Sequence, residues 1–111
     1  MIIAIPMVQG SLSMHFGHCQ HFRLFEIGEN NTILKAEDKT PPPHEPGVLP
    51  KWLSDEKANV IITGGMGMHA KQLFANYGIQ IVTGAPAGDP EDVVKAWLLG
   101  TLATGENTCD H

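Results

Sequence analysis

Between positions 15 and 21 the chain reads His15-Phe16-Gly17-His18-Cys19-Gln20-His21, three imidazoles and a thiol within seven residues. Neutral imidazole and thiolate are ligands for zinc, copper, nickel and iron, and a thiolate also suits sulfur-rich clusters. A three-residue step would set His15 and His18 on one side of a helix. Gly17 argues instead for a loop, where backbone bending lets the side chains converge. The spacing fits no standard zinc-finger pattern, which weighs against a closed structural zinc site. A polar surface loop with incidental histidines is the bland alternative, and it explains one histidine better than three and a cysteine.

Cys109 and His111 flank Asp110 at the end of the sequence. Such tails are ordinarily unstructured, but this one carries ligand types and can supply a second thiolate by folding over a bound metal. His44 and Glu45 lie in the proline-rich run Thr40-Pro41-Pro42-Pro43-His44-Glu45-Pro46-Gly47, which reads more simply as a stiff crossover linker. Met7, Met14, Met66 and Met68 fall outside the expected strands. Clustered thioethers favour copper(I) or a soft cluster, although methionine also simply fills gaps.

The turn Gly64-Gly65-Met66-Gly67 opens a segment, Gly65 to Ala70, that fits the loose dinucleotide pattern G-x-G-x-x-G/A. Backbone amides at such a helix start can hold an anion. The next strand ends in Gly84-Ala85 rather than in an acid for a ribose hydroxyl, and the chain is too short for two nucleotide-binding halves. A tight turn, or an anion pocket beside the histidine loop, fits better than a dinucleotide site.

The elements that must position these residues follow from patterning. Residues 2–6 are β-branched and apolar, a buried strand that Pro6 is expected to end. Residues 8–21 lack periodicity and read as a long loop. Alternation over 22–27, the turn Gly28-Glu29-Asn30-Asn31 and a strand over 32–36 make a hairpin. Val48, Leu49, Trp52 and Leu53 predict a helix to about Lys57. A strand over 59–63 leads through the glycine turn to a second helix, with Ala70, Leu73, Phe74 and Tyr77 on one face and Gly78 as its stop. A strand over 79–83 precedes a last helix, which Asp89 caps, Pro90 starts and Gly100 ends. Val94, Trp97 and Leu98 form its inward face. The result is an α/β fold with a mixed sheet of about five strands, an N-terminal hairpin and flanking helices.

Length and charge bound the function. One domain over residues 1–111 is expected, with about 103–111 a flexible tail. The apolar fraction of 42% is that of a folded protein. Net charge is −5 with only seven Lys and Arg, so no basic stripe for nucleic acid can be built and anionic membrane surfaces repel the chain. The start Met1-Ile2-Ile3-Ala4-Ile5-Pro6 has no basic region of a signal peptide and no span-length apolar run. The expectation is a cytoplasmic protein whose two cysteines are free thiols or ligands. No Ser/His/Asp arrangement can be defended, and the carboxylates sit mostly at caps and turns.

The opening strand, His15-Phe16-Gly17 followed by Phe22, the turn Gly64-Gly65-Met66-Gly67 with Ala70, Gly78-Ile79 and the closing Gly100-Thr101-Leu102 together resemble the NifX-like family of dinitrogenase iron–molybdenum cofactor biosynthesis proteins. The stretch Pro42-Pro43-His44-Glu45-Pro46-Gly47 is similar to that of small stand-alone members. The resemblance implies a ribonuclease-H-like α/β fold and a non-enzymatic role. That role is to bind, carry or store a molybdenum- or iron-sulfide cluster, copper included, or its precursor, alongside metallocluster assembly or acceptor proteins. It also implies that His15 contacts the cluster. His18, Cys19 and His21 rest on ligand chemistry alone. Two cysteines cannot supply the four thiolates of an ordinary iron–sulfur centre, so a preformed cluster would be held by few ligands plus backbone amides. Three alternatives stay open here: a single-ion (zinc, nickel or copper) binding or sensing module, a homodimer sharing ligands instead of a monomer, and a small nucleotide- or anion-binding protein built on the Gly65–Ala70 turn.

Overall fold

The computed structural model describes residues 1–14, 16, 19–43 and 47–105. His15, Gly17, His18, His44, Glu45, Cys109 and His111 therefore lie outside the described residues. The element order is β1 (Ile2–Val8), β2 (Ser11–Leu12), β3 (His21–Ile27), a 3-10 turn (Glu29–Asn31), β4 (Ile33–Lys39), α1 (Val48–Asp55), β5 (Val60–Ile62), α2 (Met68–Asn76), β6 (Gln80–Val82) and α3 (Pro90–Leu99).

The sheet runs β4-β3-β1-β5-β6, with β2 paired to β1 off that path. β1 pairs antiparallel with β3 and parallel with β5, and β5 pairs parallel with β6, so the sheet is mixed as expected. Helices cover both faces. Val93 and Val94 of α3 pack with Ile3, Ile5, Met7, Phe25 and Ile62 on one side. Leu49 and Leu53 of α1 and Phe74 of α2 pack with Ala4, Phe22, Leu24 and Ile61 on the other. The period of two along β1 and β3 sends alternate side chains into these two cores.

Three local expectations change. Pro6 does not end β1, which continues to Val8. The parallel ladder to β5 involves only Ile3 and Ala4, so the missing N–H at Pro6 breaks none of its bonds. The start of the long loop is instead a tight hairpin, with Gln9 and Gly10 at φ 51° and 79° joining Val8 to Ser11, the two-residue geometry that matches strand twist. Tyr77 is 47% exposed rather than part of the buried face of α2, which Phe74 anchors. The stops hold: Gly78 and Gly100 take φ 73° and 75° after their helices, and the Asp89 side chain accepts from the Glu91 N–H at 3.1 Å.

Candidate metal-cluster cradle

Parallel strands β1, β5 and β6 end on the same side of the sheet, where open α/β folds place their crevices. Four chain segments meet there through backbone bonds. The Gly64 N–H donates to the Ser13 carbonyl at 3.1 Å, and the Phe16 N–H donates to the Gly65 carbonyl at 2.9 Å. The Gly84 N–H donates to the Gly64 carbonyl at 2.9 Å, and the Gly105 N–H donates to the Gly84 carbonyl at 2.7 Å. Buried Thr63 adds its hydroxyl, which donates to the Ser13 carbonyl at 3.2 Å. The histidine loop, the glycine turn, Gly84 after β6 and Gly105 are thus stitched together by main chain.

Glycine is required at two of these junctions by space. A Cβ on Gly64 would stand 2.6 Å from the Met14 Cα and 2.9 Å from its Sδ. A Cβ on Gly84, which sits at φ 80°, would overlap the Gly105 carbonyl. Around Gly67, by contrast, no described residue lies within 4 Å of such a Cβ. Gly67 precedes α2, and among the described residues no side chain caps the helix, which starts there on backbone alone. A depression of about 330 Å³, lined by Val8, Gln9, Ser11, Leu12, Ser13, Met14 and Ala87, adjoins the loop.

Phe16 pins the histidine loop. It is 5% exposed, with its ring 5.4 Å from Phe74 in an edge-on contact and 5.6 Å from Phe22. Met14 and Phe16, the two chain neighbours of His15, therefore both touch the glycine turn.

Cys19 and His21, the described members of the histidine loop's ligand set, diverge. Cys19 packs against the core beside α1 and α2. His21 opens β3 and, by strand alternation, shares the opposite face with Arg23 and Phe25. Its Nε2 is buried, finds no hydrogen-bond partner among the described residues, and lies 3.8 Å from Asp38 Oδ2. Among the described residues no group of three or more His, Cys, Asp or Glu is placed to hold a metal ion. Of the predicted site, the structure brings Gly64 and Gly65 against the loop, buries Met66 in the same core cluster as Phe16, leaves Gly67 clear of the described loop residues, and separates Cys19 from His21. Sequence reasoning missed Thr63, Gly84 and Gly105. The Thr63-Gly64-Gly65 run that follows β5 was the available signal for Thr63.

Burial pushes the Cys19 thiol up to about 11, against a weaker opposing effect of a backbone hydrogen bond. The native thiol thus holds its proton where an unfolded one ionises. Stability from this group is present below the unfolded value and is lost as pH rises through the folded one. In a Cys109→Ser background, alkylation of Cys19 is expected to be slow at neutral pH and to accelerate as pH approaches that value. Rapid neutral labelling would show an ionised, accessible thiol.

Arg23 binds Asp38 through Nε at 2.6 Å and a second nitrogen at 3.1 Å. This hydrogen-bonded guanidinium, outweighing burial, holds the Asp38 carboxyl below the ordinary carboxylate range, with the charges of Arg23 and His21 adding to it. A depressed carboxylate stabilises above its unfolded pKa, about 3.9, and that contribution is lost as pH falls through the folded value. Because Asp38 is half exposed, solvent keeps the contribution small. NMR titration should find Asp38 below the usual range and Arg23→Gln should return it there; an unchanged value would contradict the pairing.

The family described as dinitrogenase iron-molybdenum cofactor matches residues 1–100. Among solved structures, PH0822 is 34% identical, with 94% of each chain covered and a TM-score of 0.86. MJ0327 from Methanocaldococcus jannaschii is 20% identical, with 96% of each chain covered and a TM-score of 0.75. The apo form of the orange protein from Desulfovibrio gigas is 21% identical over 96% of this chain and 93% of that one, with a TM-score of 0.68. The last two likenesses show the fold alone. No curated protein matches the chain, and among the described residues no helix is long and apolar enough to cross a membrane.

Proposed function

Because this chain belongs to the dinitrogenase iron–molybdenum cofactor family, we propose that it binds and carries a molybdenum- or iron-sulfide cluster, or its precursor, as cargo for metallocluster assembly proteins. The observation that carries this reading is the main-chain convergence of the histidine loop, the glycine turn and Gly105 at one end of the sheet. A sulfide cluster brings its own anionic ligands, so a seat for it needs close backbone approach and few side-chain donors. A start of α2 that no described side chain caps, a Gly67 with no described neighbour within 4 Å of its Cβ position, and glycine at 64, 65 and 67 suit that demand.

His15 is the donor proposed foremost, since both its neighbours touch the turn. His18, Cys109 and His111, outside the described residues, are proposed as companions. Cys19 and His21 join the site only through rearrangement, because their side chains occupy opposite faces. The protein acts by holding and releasing cargo rather than by catalysis, and its proposed setting is the cytoplasm.

Variants test the donor set. His15→Ala is expected to lose most of the bound metal, and truncation after Thr108 to weaken retention. Cys19→Ala should load normally, given a packed and protonated thiol. Full occupancy in His15→Ala would refute the proposed seat, and full retention in the truncated chain would remove Cys109 and His111 from it. One observation favours a second reading, a single bound ion: the buried Nε2 of His21 finds no described partner and is of a type that zinc, nickel or copper takes.

A further inference from the structure

β4 is the terminal strand of the sheet, seven residues long and exposed at every position from Leu34 to Asp38. Among the described residues no strand pairs with its outer side. The opposite edge, β6, is only three residues long. Long exposed edges invite pairing, and charged side chains ordinarily discourage it.

The charges of β4 alternate in a way that discourages every central register but one. Lys35, Glu37 and Lys39 share a face with Glu26 and Glu56, and Lys35 Nζ lies 3.4 Å from Glu37 Oε2. Ala36 and Asp38 share the other face with Arg23. A two-fold axis normal to the sheet pairs this strand antiparallel with its copy, and strand alternation requires the axis to pass through a residue position. With the axis at Ala36, Lys35 stands opposite Glu37 of the second copy, and Glu37 opposite Lys35. The two ion pairs then close into a ring of alternating sign around a small central residue. Moving the axis to Glu37 sets Glu37 against itself and Lys35 against Lys39. Moving it to Lys35 sets Lys35 against itself. Like charges directly opposite are destabilising.

We propose that the chain forms a homodimer by antiparallel pairing of β4 with β4 of a second copy, centred on Ala36, giving one sheet continuous across both chains. Such pairing uses up both long edges, so assembly stops at two. The interface lies on the far side of β3 and β1 from the glycine turn, so this inference is independent of any cargo.

Sedimentation equilibrium of the full chain at low salt, over a wide range of concentration, tests it. The mass is expected to rise from one chain to two, and added salt to weaken the association. Lys35→Glu and Glu37→Lys should each raise the dissociation constant by roughly tenfold or more. The double exchange, Lys35→Glu with Glu37→Lys, restores opposite signs and should restore the dimer. A monomer at every concentration would overturn the proposal. So would a dimer indifferent to the single variants, or a double exchange that fails to rescue.

Discussion

Phe16→Ala is expected to cost about 3–5 kcal/mol of stability, the range for emptying a buried aromatic site, and to free the histidine loop from the glycine turn. Phe16 is the one described side chain between Met14 and Cys19, and it is 5% exposed against Phe22 and Phe74. Phe22 in turn stacks at a tilt on Trp52 of α1, with ring centroids 5.6 Å apart. Removing the ring therefore opens a cavity shared by the loop, β3, α1 and α2. Thermal unfolding should show a drop of roughly 12 °C or more, taking about 4 °C per kcal/mol for a domain of this size. Phe16→Leu refills much of the volume and should cost far less, near the limit of about 1.5 kcal/mol for hydrophobic exchanges. Cargo retention should follow the same order, because the ring anchors the residue that follows His15. An Ala variant as stable as the parent would show that the loop is not pinned by this residue.

Gly64→Ala is expected to be nearly as costly, about 3 kcal/mol, the upper part of the range for overpacking a filled interior. The obstacle is the Met14 Cα at 2.6 Å, which is backbone and cannot turn aside as a side-chain tip can. Relief requires the loop to move off the turn, which breaks the bond from the Gly64 N–H to the Ser13 carbonyl. Gly67→Ala is the internal control. No described residue lies within 4 Å of its new Cβ, so only the modest loss of a good N-cap, about 0.5–1 kcal/mol, is expected. Denaturant unfolding of the two variants should separate them clearly. Equal losses would mean that closeness to Met14 is not what position 64 requires.

Much of the fold is legible in the residues. The β-branched runs, the Asp89-Pro90 start of α3 and the glycine stops each state a local preference that the packing then uses. Pro6 misleads because its effect depends on whether a neighbouring strand needs its N–H, and β5 ends its pairing at Ala4. The Gln9-Gly10 hairpin hides because glutamine is an unusual partner for a left-handed turn.

The candidate site is legible as two separate motifs, the histidine loop and the glycine turn. Their contact is not, since it is made by main-chain bonds that carry no residue code. Cys19 and His21 show the limit of spacing: two positions apart in sequence, one packs beneath α1 and α2 and the other opens β3 on the opposite face. Gly84 and Gly105 were invisible for the same reason, being matched to each other by proximity alone.

The proposed cargo at this end of the sheet is a metal–sulfide cluster, not a lone ion. Metal and acid-labile sulfide content of the anaerobically purified chain, read with its visible absorption, measures that directly. Molybdenum or iron, with or without copper, is expected in fixed proportion to the chain and accompanied by sulfide. Zinc or nickel bound without sulfide would contradict it.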